Sequence, residues 1–123
     1  MEITFNRVKS NALQPVKEGH THFITATSKE DIPMHENDVV RYGTGISINI
    51  PTGHVGLIYP LVGIYKKKQI FSNSIIVVFE GDEKEIVIDM TKGLNTEEEY
   101  KIGNKIAQII IVPVLNFNLK ERE

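Results

Sequence analysis

No stretch of this chain carries apolar residues at the 3.6-residue spacing of an amphipathic helix. Short β-rich runs recur instead, each cut off by Gly, Pro, Asn or Asp, which is the pattern of an all-β sandwich or barrel. In "TGISINIP", Ile46, Ile48 and Ile50 alternate with Ser47 and Asn49, predicting one buried and one wet face, and Pro51 and Gly53 end the strand in a turn. "HVGLIYPLVGIY" predicts a broken apolar stretch with bends allowed at Gly56, Pro60 and Gly63. "SIIVVFE" predicts a strand buried on both faces, and "EIVIDM" its antiparallel partner across the "EGDEK" turn. "TKGLNTEEEY" predicts a polar connection with one helical turn begun by Thr96, Glu97 to Glu99 lying near its positive end. "KIGNKIAQIIIVPV" predicts the last strong strand, followed by a tail over residues 116–123.

Length limits this to one domain. At 123 residues the chain buries about two-thirds of its unfolded surface, and residues 1–123 are expected to form a single unit. Fourteen basic against sixteen acidic residues give a formal charge of -2, so no specific nucleic-acid partner is expected. The arginines are Arg7, Arg41 and Arg122, poor equipment for gripping a triphosphate with bidentate forks. With no cysteine, disulfides, zinc-thiolate sites and thiol nucleophiles are excluded. The N-terminal "MEITFNRVKS" lacks a secretory signal pattern and no apolar run approaches 18 residues. The expected setting is a cytoplasm, or a virion assembled in one, with no membrane partner.

Order and spacing carry a further signal. "VVRYGTGISINIPTGHVGLIYP", followed by "YKIGNKIAQIIIVPV", resembles the dUTPase family, which includes dCTP deaminases. Its members carry a strand reading roughly T-G-I-x-I-x-I-P-x-G-x-x-G, here Thr44 to Gly56, and a G-D-R-I-A-Q-L-I-x-x-P strand, here Gly103 to Pro113. The resemblance covers residues 15–115. It implies a jelly-roll-type β-barrel that forms a homotrimer, with active sites between subunits that use five motifs and a magnesium-chelated nucleotide.

Taken motif by motif, the resemblance predicts losses. The first, A-G-Y-D-L-x-A, lies closest to "EGHTHFITA", with its acidic position over Thr21. The second, R-S-G, lies over Leu61, Val62 and Gly63, leaving two aliphatic side chains where phosphate ligands stand and only Gly63 as a remnant. The water-activating aspartate of the third falls on Phe79, which accepts no proton. The fourth keeps Gly103, Ile106, Ala107 and Gln108, with Asn104 and Lys105 in place of aspartate and arginine. The fifth, a glycine-rich arm, has no counterpart after Pro113. Leu61, Val62 and Phe79 are therefore expected to fill an inter-subunit cleft.

Other constellations were weighed against plainer readings. His20 and His22 form an H-x-H pair that a threefold axis would gather into a metal site, against a surface or interface pair. Lys66, Lys67 and Lys68 read as a solvated loop, and Glu80, Asp82 and Glu83 as a charged hairpin tip rather than a cation loop. His35 and His54 read as solvated.

Two functions follow. The favoured expectation is a non-enzymatic trimeric module, a phage head decoration, auxiliary capsid protein or regulatory decoy with a protein partner and no cofactor. The alternative is an active dUTP or dCTP hydrolase or deaminase with a rebuilt site drawn from Glu80, Asp82, Gln108 and Lys105, needing magnesium.

Overall fold

The computed structural model describes residues 1–33, 38–61, 69–72, 75–93 and 95–123. Ten strands run in chain order: β1 (Phe5–Arg7), β2 (Val16–Glu18), β3 (Thr21–Thr25), β4 (Ser28–Ile32), β5 (Val39–Gly43), β6 (Ile46–Ile48), β7 (His54–Pro60), β8 (Ile76–Val78), β9 (Val87–Thr91) and β10 (Lys105–Pro113). The only helix among the described residues is a 3-10 turn, Thr96–Glu98. The all-β expectation holds.

Strand β10 pairs antiparallel on both sides. Its residues run from Ala107 opposite Pro60 to Pro113 opposite His54 on β7, and from Lys105 opposite Thr25 to Ile109 opposite His22 on β3. The resulting sheet has the order β2-β3-β10-β7-β8, and two further sheets, β4-β5-β9 and β1-β6, complete the structure. Side chains opposite one another in a ladder share a face. Ile109, Ile58 and Ile76 therefore point inward together, and they join a core with Ile24, Tyr42, Ile46, Ile88, Met90 and Ile106. Each fully buried isoleucine contributes about 1.5–3 kcal/mol through water exclusion.

The "TGI" segment is where the chain leaves one sheet for another. Thr44 accepts nothing from solvent: its hydroxyl donates to the Ile86 carbonyl at 2.7 Å. Gly45 follows at φ +72°, and a Cβ there would stand 2.7 Å from the Ala12 methyl, so glycine is required on both counts.

Three expectations need correction. Ser47 is not on a wet face, being 2% exposed, because β1 pairs along β6 and covers it. Strand β8 is an edge strand, with Ile75 and Val77 exposed, and is not buried on both faces. Strand β9 pairs with β5 and not with β8, so the segment between them crosses from one sheet to another instead of closing a hairpin. The helical turn is where it was expected, with the Asn95 side chain accepting the Glu97 amide at 3.0 Å.

A buried polar knot ties the second sheet to the connection that precedes β10. The Tyr42 hydroxyl lies 2.7 Å from Gln69 Oε1 and 2.9 Å from the Tyr100 carbonyl, while Gln69 accepts the Tyr100 amide and donates to the Thr91 carbonyl. The two tyrosine rings meet edge to face at 6.3 Å. Nearby Glu99 is 4% exposed. Burial opposes its ionisation, but Lys29 Nζ at 2.8 Å and the Gly93 amide outweigh burial and hold the carboxyl below its ordinary range.

Burial pushes the Tyr42 hydroxyl up to about 12 from 10.0, and it raises Tyr100 as well. A tyrosine harder to deprotonate when folded stabilises the native state below the unfolded value, and that advantage is lost as pH rises through the interval between the two. Thermal denaturation should show the melting temperature falling steeply between pH 10 and 12. Tyr42→Phe should cost about 1–2 kcal/mol at neutral pH, from the lost hydrogen bond, and should flatten the alkaline decline.

Candidate active site

The residues singled out from the sequence fall into two groups, at opposite ends of the β7–β10 ladder. At one end the 101–104 turn leads into β10. Gly103 adopts φ +95°, and the Asn104 side-chain oxygen accepts the Lys101 amide at 2.8 Å, so asparagine supplies a turn acceptor as an aspartate would. Lys105 Nζ sits 3.7 Å from Glu18 and 4.8 Å over the Phe23 ring. Gln108 is 4% exposed and opposes Phe23 on one side and Tyr59 on the other, its amide nitrogen donating to the Pro60 carbonyl at 3.3 Å. Leu61 follows Pro60 and packs against the core. Val62 and Gly63 lie outside the described residues, as do His35, Lys66, Lys67 and Lys68.

The register also revises one assignment. Closing the first motif on Ala26, as its length requires, moves its acidic position from Thr21 to Phe23, the neighbour of Gln108. Thr21 itself is committed elsewhere, donating to the Ile109 carbonyl at 3.1 Å and accepting from the Tyr59 hydroxyl at 3.3 Å.

At the other end, Phe79 follows β8 and is 62% exposed. A tight turn returns the Asp82 amide to the Phe79 carbonyl, and the Asp82 carboxylate accepts the Lys84 amide at 3.0 Å. Glu80 accepts a hydrogen bond from the Thr52 hydroxyl at 2.9 Å. His54 is half-buried, with Nδ1 3.0 Å from the Thr52 carbonyl, and is not simply solvated. Thr52 is a partner that sequence reasoning missed, because the contact joins two turns far apart in the chain.

Gln108 opposes Tyr59 and Pro113 opposes His54, so at roughly 3.4 Å per residue the two ends lie about 17 Å apart. Leu61 and Phe79 accordingly do not line one cleft within a single chain. Nor do Glu80 and Asp82 meet Lys105 and Gln108. Any site using both groups draws one of them from a second copy. Arg41 is occupied in a two-pronged pair with Asp89, at 2.8 and 3.0 Å, and so is not a free phosphate ligand.

His20 and His22 are both exposed and line one groove, but among the described residues no group of three His, Asp or Glu side chains is placed to hold a metal. A metal site there gains no support within one chain.

The sequence profile of the dUTPase family matches residues 24–123. The chain belongs to the dUTPase family. The match runs through the C-terminal tail, beyond the region of resemblance expected from the motifs. The deoxyuridine 5'-triphosphate nucleotidohydrolase of Wigglesworthia glossinidia brevipalpis is 34% identical over 94 residues, covering 75% of this chain and 61% of that protein. The enzyme of the same name from Crocosphaera subtropica is 29% identical, over all of this chain and 88% of its own length. Among solved structures, the D95N mutant dUTPase of phage phi11 of S. aureus superposes with a TM-score of 0.77 at 18% identity, covering 100% of this chain and 97% of that one, and coordinates a structural Mg(II) ion. The dUTPase of Staphylococcus bacteriophage 80alpha gives 0.74 at 20% identity, over 99% and 96%.

These likenesses overturn the expectation of a catalytically inactive capsid or decoy module. The relatives aligned along most of the chain are named as dUTP nucleotidohydrolases, and nothing in the comparisons supports a capsid role. The expectation failed because it judged each lost functional group alone, whereas a site shared between copies is completed by side chains far apart in one chain. The expected lack of any metal fails with it, since enzymes of this family use magnesium.

The described residues offer no protein-only cage for that ion. Titrating magnesium alone into the protein should give no heat and no rise in melting temperature, while magnesium with a nucleoside triphosphate should give both.

Proposed function

We propose that this chain is the subunit of a homotrimeric enzyme that hydrolyses dUTP presented as its magnesium chelate. The observation that carries the reading is the alignment to a named dUTP nucleotidohydrolase over the whole chain and 88% of that enzyme. The chain spans 61% of the length of the Wigglesworthia enzyme, so the activity is a proposal for these residues and not a transfer of everything that enzyme does.

The chemistry needs a base for water, donors for phosphate oxygens and a wall for the nucleoside. Phe79 is no base. Glu80 is the nearest carboxylate to that position, and the Thr52 hydroxyl fixes one of its oxygens, which leaves the other to take a proton. As the water oxygen bonds to phosphorus, its proton passes to Glu80 and the phosphoanhydride bond breaks. Lys105 and Gln108 of a neighbouring copy donate to the phosphate oxygens and orient the chain of phosphates, and Asp82 lies on the same exposed turn as Glu80. Lys105 is held by Glu18 at only 3.7 Å with both side chains partly exposed, an ion pair weak enough to yield to a phosphate.

Incubation with dUTP and magnesium should release dUMP, followed by chromatography, with dCTP and dTTP turned over more slowly. Glu80→Gln and Gln108→Ala should each lower kcat by about 100-fold. Mixing these two inactive variants and allowing subunits to exchange should restore a fraction of activity, because a hybrid trimer contains an interface with both groups intact. Phe79→Asp should raise kcat by about tenfold or more, by placing a carboxylate at the end of β8. Absence of dUMP from both the unaltered protein and Phe79→Asp would refute the activity.

A further inference from the structure

The barrel is open between β1 and β2. Strand β1 pairs only with β6, and β2 only with β3, so among the described residues each leaves one edge unpaired. Between them lies a groove of about 800 Å³. Its floor is apolar, formed by Ile3, Phe5, Ile48, Ile109 and Ile111, and its rim carries Lys17, His20 and His22. Ile109 belongs to the inward face of its sheet, and Ile3, Phe5 and Ile111 pack against the core from this side. The groove is thus a gap in the wall of the core, and an unpaired edge runs beside it.

The same chain ends in a segment that fits such a gap. After Pro113 the Val114 amide bonds to the Gly53 carbonyl, and the strand partnership then stops. In "LNFNLKERE" Leu115, Phe117 and Leu119 alternate with Asn116 and Asn118, the two-residue period of a half-buried strand. Yet these three side chains are 78%, 63% and 91% exposed. A strand with one apolar face gains nothing from standing in water, and an apolar groove beside a free edge is what strand addition requires.

Its own groove is poorly placed for this tail. To run back along β10 the chain would reverse at Val114 and Leu115, and a tight two-residue reversal favours Gly, Asn or Asp with positive φ. Neither residue provides it. Charge agrees with a donor from outside: Glu121 and Glu123 follow the apolar triplet, and Lys17, His20 and His22 border the receiving groove.

We propose that residues 114–119 of one copy lie in the groove of a second, adding a strand beside β1 and burying Leu115, Phe117 and Leu119 against Ile3, Phe5, Ile48 and Ile109. Donation passes head to tail, each copy giving one tail and receiving another, so the arrangement closes when the rotation between copies closes. It gives His20 and His22 a place at an intersubunit border without a metal. The arrangement does not depend on catalysis, and its failure is read on a gel where that of hydrolysis is read on product.

The absence of cysteine makes the test direct. Ile3→Cys and Phe117→Cys, purified separately, mixed under conditions that let subunits exchange, and oxidised mildly, should give a covalent heterodimer on a non-reducing gel. A Lys84→Cys control in place of Phe117→Cys should give none. The double variant Ile3→Cys/Phe117→Cys should run as covalent oligomers. A double variant that closes within one chain, and so stays monomeric with altered mobility, would overturn the proposal in favour of a folded-back tail. Absence of any disulfide between these positions would overturn it too. Phe117→Asp, a milder change than truncation, should lower the mass in solution to that of smaller species, and unchanged mass with unchanged melting temperature would also count against it.

Discussion

The structure depends on β10 being paired along both edges. A strand between two others must satisfy its backbone on each side and fill a core on at least one face, and residues 105–113 do both. Ile106, Ala107 and Ile109 are buried, while Gln108 points the other way, between Phe23 and Tyr59. The amide of Gln108 is therefore held by strand register and not by a flexible loop. That rigidity is what a substrate-facing group needs, and the same residues that form the core impose it. Removing an isoleucine from β10 would loosen the position of Gln108 without touching it.

Strand existence was legible in the sequence wherever β-branched residues and turn residues alternated. The last strand, the turn at Gly53 and the 3-10 turn at Thr96 all follow from local rules. Pairing was less legible. "SIIVVFE" and "EIVIDM" look like two arms of a hairpin, yet they belong to different sheets, because the residues between them carry the chain across the barrel and a local pattern holds no information about that crossing. Ser47 shows the same limit from another side: its polar character predicted a wet face, and a strand distant in sequence buried it. The knot of Tyr42, Gln69 and Tyr100 was invisible for the same reason, since each partner is ordinary until the fold brings three segments together.

The candidate site was legible in part. Gln108, Lys105, Phe79 and Glu80 could all be named from motif order. Their grouping could not, because about 17 Å separates the two ends of the ladder within one chain. Counting lost side chains treats a site as the property of one sequence. When the groups converge from different copies, a substitution at Phe79 changes one wall of a cleft whose other wall is Gln108 and Lys105 of a neighbour, and a carboxylate adjacent in the chain, such as Glu80, is near enough to alter how that wall works.

The open groove bears on that same geometry. Ile109 and Gln108 are consecutive, so one side chain faces into the barrel toward the groove while the next faces out toward Phe23 and Tyr59. A strand seated against Ile109 would press on the inner face of the residue pair whose outer member is Gln108. Assembly and substrate contact would then act on opposite faces of one backbone segment, a segment with a register irregularity between Lys105 and Ala107 just before it. Irregular pairing leaves that stretch with fewer fixed positions than a regular ladder. Filling the groove is thus the step that would fix the outward direction of Gln108, so catalytic geometry would follow from oligomer formation and not precede it.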